Sequence, residues 1–396
     1  AQRDAMGAGA KQMTPETQQD CGPGLDRRRA EGAFLGAAIG DALGWPYEAR
    51  ARRAGGKRPP RATKFESWTK RSGGQFHAYE ERIAAGEYSD DTQLLLAVAR
   101  CRLRDGNWWE TLAFVELPWW LAYERGGGGA TRRAAQTLLD GKLPWAVRTR
   151  DVAARYFAAG GNGVAMRVAP HCLRHASAQD FSALAADIMT DGVCTHGHPR
   201  ALVGALAYAY GLWSAFRHSG TLGYGELLTR TLEGFESWAA MPAIEQRWQG
   251  WLASAQEMSR GYGQLWSNSA SEMRSLLSQA IAGMEGGALA VDEEVLEQLG
   301  CFDPKINGAG TVAAAAALFL ASRHAAAPME GVVRAAHAVG ADTDTIASMT
   351  GSLLGAIAGT TWLSEFVPEL QDAKFIANTA NALRTARPHE SPTVSL

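Results

Sequence analysis

From Arg29 onward, apolar and polar positions along the 396-residue chain recur with a helical rather than a strand period. The stretch RAEGAFLGAAIGDALG sets Ala33, Phe34, Ala37, Ala38 and Ile39 at helical spacing, the mark of a stripe on one helix face. Residues 91–105 predict a second helix ended by Gly106. WWETLAFVELPWWLAYERGGGG then predicts a helical stretch broken at Pro118 and a glycine hinge at 126–129. Segments 151–159, 165–176, 179–191, 199–217 and 222–299 keep the same period. Val, Ile and Thr rarely alternate with polar residues for more than a few positions, so convincing strands are missing. The pattern predicts an all-α fold. Residues 1–28 mix Gly, Gln, Thr and Pro without an apolar period and predict a flexible arm; 29–385 form one helical domain, followed by a tail at 386–396.

Glycines at 32, 36, 40 and 44 form one smooth face, and Gly351, Gly355 and Gly359 repeat the spacing near the other end. Each glycine costs roughly 1 kcal/mol of helix propensity against Ala, so close packing against a neighbouring helix is the expected compensation.

Composition narrows the class. With 46% hydrophobic residues the chain can bury a sizeable core, and 39 basic against 41 acidic residues (net charge -2) exert no global pull toward nucleic acid or membrane. Five scattered cysteines without a C-x-x-C pair suit a reducing compartment, so the cytoplasm is the expected location. No apolar run reaches the ~20 residues of a membrane span. Between Arg50 and Arg71, nine basic residues face one acid, Glu66, which reads as a solvated loop or as a cationic rim near an anionic ligand.

Chemistry gathers at two places. EYSDDTQLLLAVAR at 87–100 sets Asp90 and Asp91 between Ser89 and Thr92 ahead of an apolar run. VGADTDTIASMTGSLLGAIAG at 339–359 repeats the device with Asp342, Thr343, Asp344 and Thr345. One such head is ordinary helix capping. Two dense ones point further: four carboxylates near one point repel unless a cation neutralises them. Donors made only of oxygen favour hard ions, Mg²⁺ first, Mn²⁺ next and Ca²⁺ after, and four carboxylates can hold two divalent ions ~3.5–4 Å apart. The loop GGNG at 160–163 offers backbone N–H groups to phosphate oxygens ahead of an expected helix start at Ala165, and INGAG at 306–310 offers a second such loop.

Together these stretches resemble the ADP-ribosylglycohydrolase family, which includes the dinitrogenase-reductase-activating glycohydrolase. The resemblance rests on GAFLGAAIGDALGWPYE at 32–48, GEYSDDTQLLLAVAR at 86–100, GGNGVAMRVAP at 160–170, THGHPRA at 195–201 and GADTDTIASMTGSLLGAIAG at 340–359. It implies an all-helical hydrolase with two Mg²⁺ or Mn²⁺ ions that cleaves ADP-ribose from a target. By position it implies Ser89, Asp90, Asp91, Asp342, Asp344 and Thr345 as metal ligands, with Ser89 where many members carry Thr. It implies Asp41 beside the metals, and Asp91, Asp344 or Glu48 as the catalytic carboxylate. It implies Gly161, Asn162, Gly163, His196, Gly308 and Gly310 as substrate contacts. The implied partner is an ADP-ribosylated protein, arginine foremost, with nucleic-acid or small-molecule conjugates left open. Bacterial relatives that protect against ADP-ribosylating toxins suggest an alternative: an immunity-type protein whose arm at 1–28 plugs a cognate toxin, with hydrolysis secondary.

Overall fold

The computed structural model describes residues 25–51, 63–72, 79–104, 106–147, 149–287 and 291–386. Residues 1–24 of the expected arm, 52–62 of the basic loop and the tail from 387 lie outside the described residues. The rest is predominantly helical, as the apolar period predicts. The helices that place the site are α1 (Arg27–Ala51), α2 (Asp90–Leu103), α3 (Pro199–Arg217), α4 (Tyr262–Met284), α5 (Gly310–Arg323), α6 (Pro328–Ala336) and α7 (Thr343–Ala358). None of the described helices is long and apolar enough to cross a membrane.

The glycine faces of α1 and α7 meet each other, antiparallel. A Cβ added at Gly36 would stand 2.2 Å from the Gly351 carbonyl oxygen, and one at Gly355 would stand 1.9 Å from that of Gly32. At Gly44 the obstacle is the Thr343 carbonyl, at 2.3 Å. Backbone lies on backbone, so dispersion contact along the whole face offsets the poor helix propensity. This contact also sets the end of α1 beside the head of α7.

Behind this pair, α5 is buried on every side from Gly310 through Ser322 and packs against α3, α4 and α7. Gly204 of α3 lets that helix cross α5 at its first residue, since a Cβ there would meet the Gly310 carbonyl carbon at 2.3 Å. The loop at 306–310 is thereby anchored to the core.

Two local expectations change. Helical structure runs through Pro118: a π-turn over Leu112–Glu116 precedes the Leu117–Trp120 segment, with the proline in that segment's first turn. The widened turn absorbs the missing N–H, so the proline does not break the stretch. α1 likewise continues past Pro46 to Ala51 and carries Glu48. Finally, a two-stranded antiparallel ribbon, β1 (Trp68–Ser72) and β2 (Tyr79–Ile83), joins the all-α body. Its sequence hides it because most of its positions are charged or polar. Arg71 pairs with Glu80 across the strands at 2.9 Å, while Ile83 is buried and Trp68 packs edge-on against Trp45 of α1, centroids 5.2 Å apart.

Candidate metal centre

The head of α2 answers the capping question raised by its sequence. Ser89 is the N-cap, its Oγ accepting from the Asp91 N–H at 3.3 Å. A second cap comes from another helix. Asp41 of α1 accepts from the Ser89 N–H at 3.0 Å, the Thr92 N–H at 3.0 Å and the Thr92 hydroxyl at 2.6 Å. Its charge therefore meets the positive end of the α2 dipole. With Asp41 and Ser89 doing the capping, the cap does not require the carboxylates of Asp90 and Asp91. Asp91 Oδ1 accepts from the Thr345 hydroxyl at 3.3 Å, which joins the two clusters, and Asp91 Oδ2 is buried without a partner among the described residues.

The head of α7 is fixed by its neighbours. The Thr343 hydroxyl donates to the Gly44 carbonyl at 2.9 Å, Asp344 Oδ1 accepts from the Thr345 N–H at 3.0 Å, and Asn162 Nδ2 donates to Asp342 Oδ2 at 2.9 Å. Oxygens of Glu48, Asp342 and Asp344 lie within 4.8 Å of one another. Helical continuation past Pro46 is what delivers Glu48 to this group.

Electrostatics favour protons here. Burial, then the charges of Asp41, Glu124 and Asp342, push the Asp90 carboxyl up to about 8. Burial, then Asp41, Asp90 and Asp342, raise Asp91 well above the usual range, and burial with Asp342 and Asp91 does the same to Asp344. Burial also raises Asp41, although its hydrogen bonds from Thr92 and Ser89 pull the other way. A buried acceptor without a donor, beside carboxylates that repel one another, fits a hard divalent cation. The donor set holds no His or Cys, which disfavours Zn²⁺.

The two predicted loops meet beside this cluster. Asn162 N–H donates to the Gly308 carbonyl and Gly310 N–H to the Gly160 carbonyl, each at 3.0 Å, and Gly161 bridges Ala309. Asn162 is thus spent on bracing Asp342 and Gly308, while Gly161 and Gly163 keep the surface small. No helix dipole follows: residues 165–167 form one 3₁₀ turn, and the next α-helix starts at Ala169. His196 packs on this loop rather than on the carboxylates. A Cβ at Gly163 would stand 2.9 Å from its Cε1. A cavity of about 190 Å³ opens next to it, walled by Ala134, Val152 and Tyr156 with Arg133 and Arg155 among its lining.

Two contributors escape motif reading. The carbonyl of Arg125 accepts from the Asp90 N–H at 2.8 Å, and Gly126, at φ +89°, passes against Trp45 and Asp90. Glu124 adds negative charge near Asp90 while its own carboxylate accepts from the Gly127 N–H at 2.9 Å. The glycine run at 126–129 was the available signal: it walls the site as well as joining helices.

Comparison with known proteins agrees with this architecture. A sequence model described as ADP-ribosylglycohydrolase matches residues 23–392. A solved structure of an ADP-ribosylglycohydrolase-related protein complex is similar with a TM-score of 0.54 at 23% identity, over 90% of this chain and 97% of that one. At that identity the likeness speaks for the fold. No curated protein matches the chain.

Proposed function

The chain belongs to the ADP-ribosylglycohydrolase family, and from that premise we propose that it removes ADP-ribose from a modified protein side chain, arginine foremost. The observation that carries the reading is the close group of Glu48, Asp342 and Asp344 at the head of α7, joined through Thr345 to Asp91, whose Oδ2 is buried without a partner among the described residues. Ser89, Asp90, Asp91, Asp342, Asp344 and Thr345 would hold two Mg²⁺ or Mn²⁺ ions. When bound, such ions supply positive charge that orients the ribose hydroxyls and offsets the repulsion among the carboxylates.

The remaining work falls to the chain itself. Asp41 keeps the head of α2 in place, and Asn162 keeps Asp342 in place. Asp91, Asp344 and Glu48 are the candidates to take a proton from the attacking water. The same carboxylates stabilise the positive charge that grows on the anomeric carbon as the glycosidic bond breaks. Gly161 and Gly308 leave room for the diphosphate against backbone, whereas Gly163 seats His196 and Gly310 seats α3 at Ala201; the cavity that reaches Ala159 and Thr195 suits the adenosine end.

Incubation with ADP-ribosylated arginine, serine and DNA, with and without Mg²⁺, tests the proposal. Mg²⁺-dependent release of free ADP-ribose from the arginine substrate is expected; release from none of them overturns it. The reading as a toxin-blocking protein rests on the arm at 1–28, of which residues 1–24 lie outside the described residues. A truncation that loses protection while Asp344→Ala keeps it would favour that reading. The cytoplasm remains our proposed location, consistent with the free, buried thiols of Cys101, Cys172, Cys194 and Cys301.

A further inference from the structure

A chain of buried hydrogen bonds runs behind the Gly161–Gly163 loop. Asp191 Oδ1 accepts from Arg167 Nε at 3.0 Å and Nη2 at 2.7 Å, and its Oδ2 pairs with His171 Nε2 at 3.0 Å. Asp191, Arg167 and His171 are fully buried. Arg167 Nη1 donates to the Gly163 carbonyl at 3.0 Å, so the network grips the loop itself. Arg167 Nη2 also donates to Thr195 Oγ1 at 2.9 Å, and that oxygen lies 2.8 Å from His196 Nδ1.

Donor bookkeeping assigns the protons. A guanidinium only donates, so the Thr195 oxygen is an acceptor toward Arg167. Its one hydroxyl proton is satisfied in this buried place by His196 Nδ1, which makes Nδ1 the acceptor and leaves the ring proton on Nε2. Among the described residues no hydrogen bond is made by Nε2, although His196 is only 2% exposed. Nε2 faces the glycine loop: a Cβ at Gly163 would stand 3.4 Å from it and one at Gly161 3.8 Å.

We propose that Asp191, Arg167 and Thr195 form a positioning relay that locks His196 as an Nε2–H donor toward a phosphate oxygen of the substrate above Gly161 and Gly163. The proposal rests on the reading of that loop as the diphosphate end of the site. A donor made this way does not depend on protonation. Burial, then the nearby Arg167 charge, lowers the His196 imidazole to about 3, so the ring donates while neutral.

The test uses the full chain, with ¹⁵N-labelled histidine and ADP-ribose as the probe. In the wild type, His196 should show Nε2 protonated and Nδ1 unprotonated, unchanged between pH 5.5 and 8 by the choice of buffers alone (~2.5 pH units of range). Thr195→Val removes the hydroxyl at nearly constant shape and should weaken ADP-ribose by about tenfold or more, the loss of an oriented hydrogen bond to a charged acceptor. Thr195→Ser should restore both affinity and the Nδ1 resonance. A protonated Nδ1 in the wild type, or Thr195→Val binding as tightly as the wild type, overturns the relay. Failure of the wild type itself to bind ADP-ribose would instead overturn the reading of the loop.

Discussion

Two buried groups of aspartates lie in this protein and hold their protons in opposite ways. Asp187 is paired with Arg102 at 2.8 Å, Arg247 at 2.6 Å and His175 at 2.7 Å, and Asp191 with Arg167 at 2.7 Å. Burial alone would raise both carboxyls; Arg102 and its companions, and Arg167 with His171, overcome it and hold them below the usual range. Asp90, Asp91 and Asp344 are just as buried, and among the described residues no basic side chain pairs with them. Their proton affinity rises instead. Burial is common to the two regions, so the counter-charge makes the difference. One region carries its cations in the chain and braces the loop; the other has no basic partner among the described residues, which is what the proposed metal site requires.

The sharpest way to break this comparison is to remove one carboxylate from each region. Asp191→Ala leaves Arg167 buried without its partner and should cost about 3–5 kcal/mol of stability in urea denaturation. Asp91→Asn should do the reverse in metal-free protein, leaving stability unchanged or higher because a repelling charge is gone. The same variant should lose the stabilisation by Mg²⁺ and at least about 100-fold of turnover, since even groups that only support metal ligands are worth 10–100-fold. Equal destabilisation by the two variants would erase the distinction.

A smaller effect is expected from the helix contact that serves only the acidic region. Gly36→Ala sets a Cβ against the Gly351 backbone, and overpacking of this kind typically costs about 1–3 kcal/mol. Hydrogen exchange should quicken at the heads of α2 and α7 before it quickens around Asp191. The smallest effect is a slope with pH. A carboxyl raised in the folded state, such as Asp90 at about 8, contributes stability that is complete below its unfolded value and is lost as pH rises. The metal-free protein should therefore melt at progressively lower temperature from about pH 4 to about pH 8, and saturating Mg²⁺ should flatten the trend. Asp187 and Asp191, lowered in the fold, act oppositely: their contribution is present above about pH 4 and lost as pH falls below it.

Residues whose task is local were legible. Ser89 announces a cap, the glycine period announces a close helix neighbour, and the apolar period announces helices, because each signal lies within a few residues of its structural consequence. Glu48 and the charged ribbon were not legible in this way. Nothing local to Pro46 says that the helix continues through it to Glu48; packing of Trp45 on Trp68 and of Tyr47 on His337 accompanies the helix beyond it. Glu124 and the Arg125 carbonyl carry no motif at all, since a backbone oxygen and a lone acid acquire a role only from what stands opposite.

The sequence by itself determined that two acid and hydroxyl clusters would head two apolar helices, and that glycine faces would need partners. It placed those clusters 252 positions apart (342 minus 90) without stating that they meet. Tertiary structure decided the meeting, through the antiparallel seating of α1 on α7 and the hydrogen bonds of Asp41 to the head of α2. It also decided that the proton affinity of Asp91 and Asp344 is raised while that of Asp191 is lowered. Proton affinity depends on burial and on the charges nearby in space, and neither is a property of a residue's neighbours along the chain.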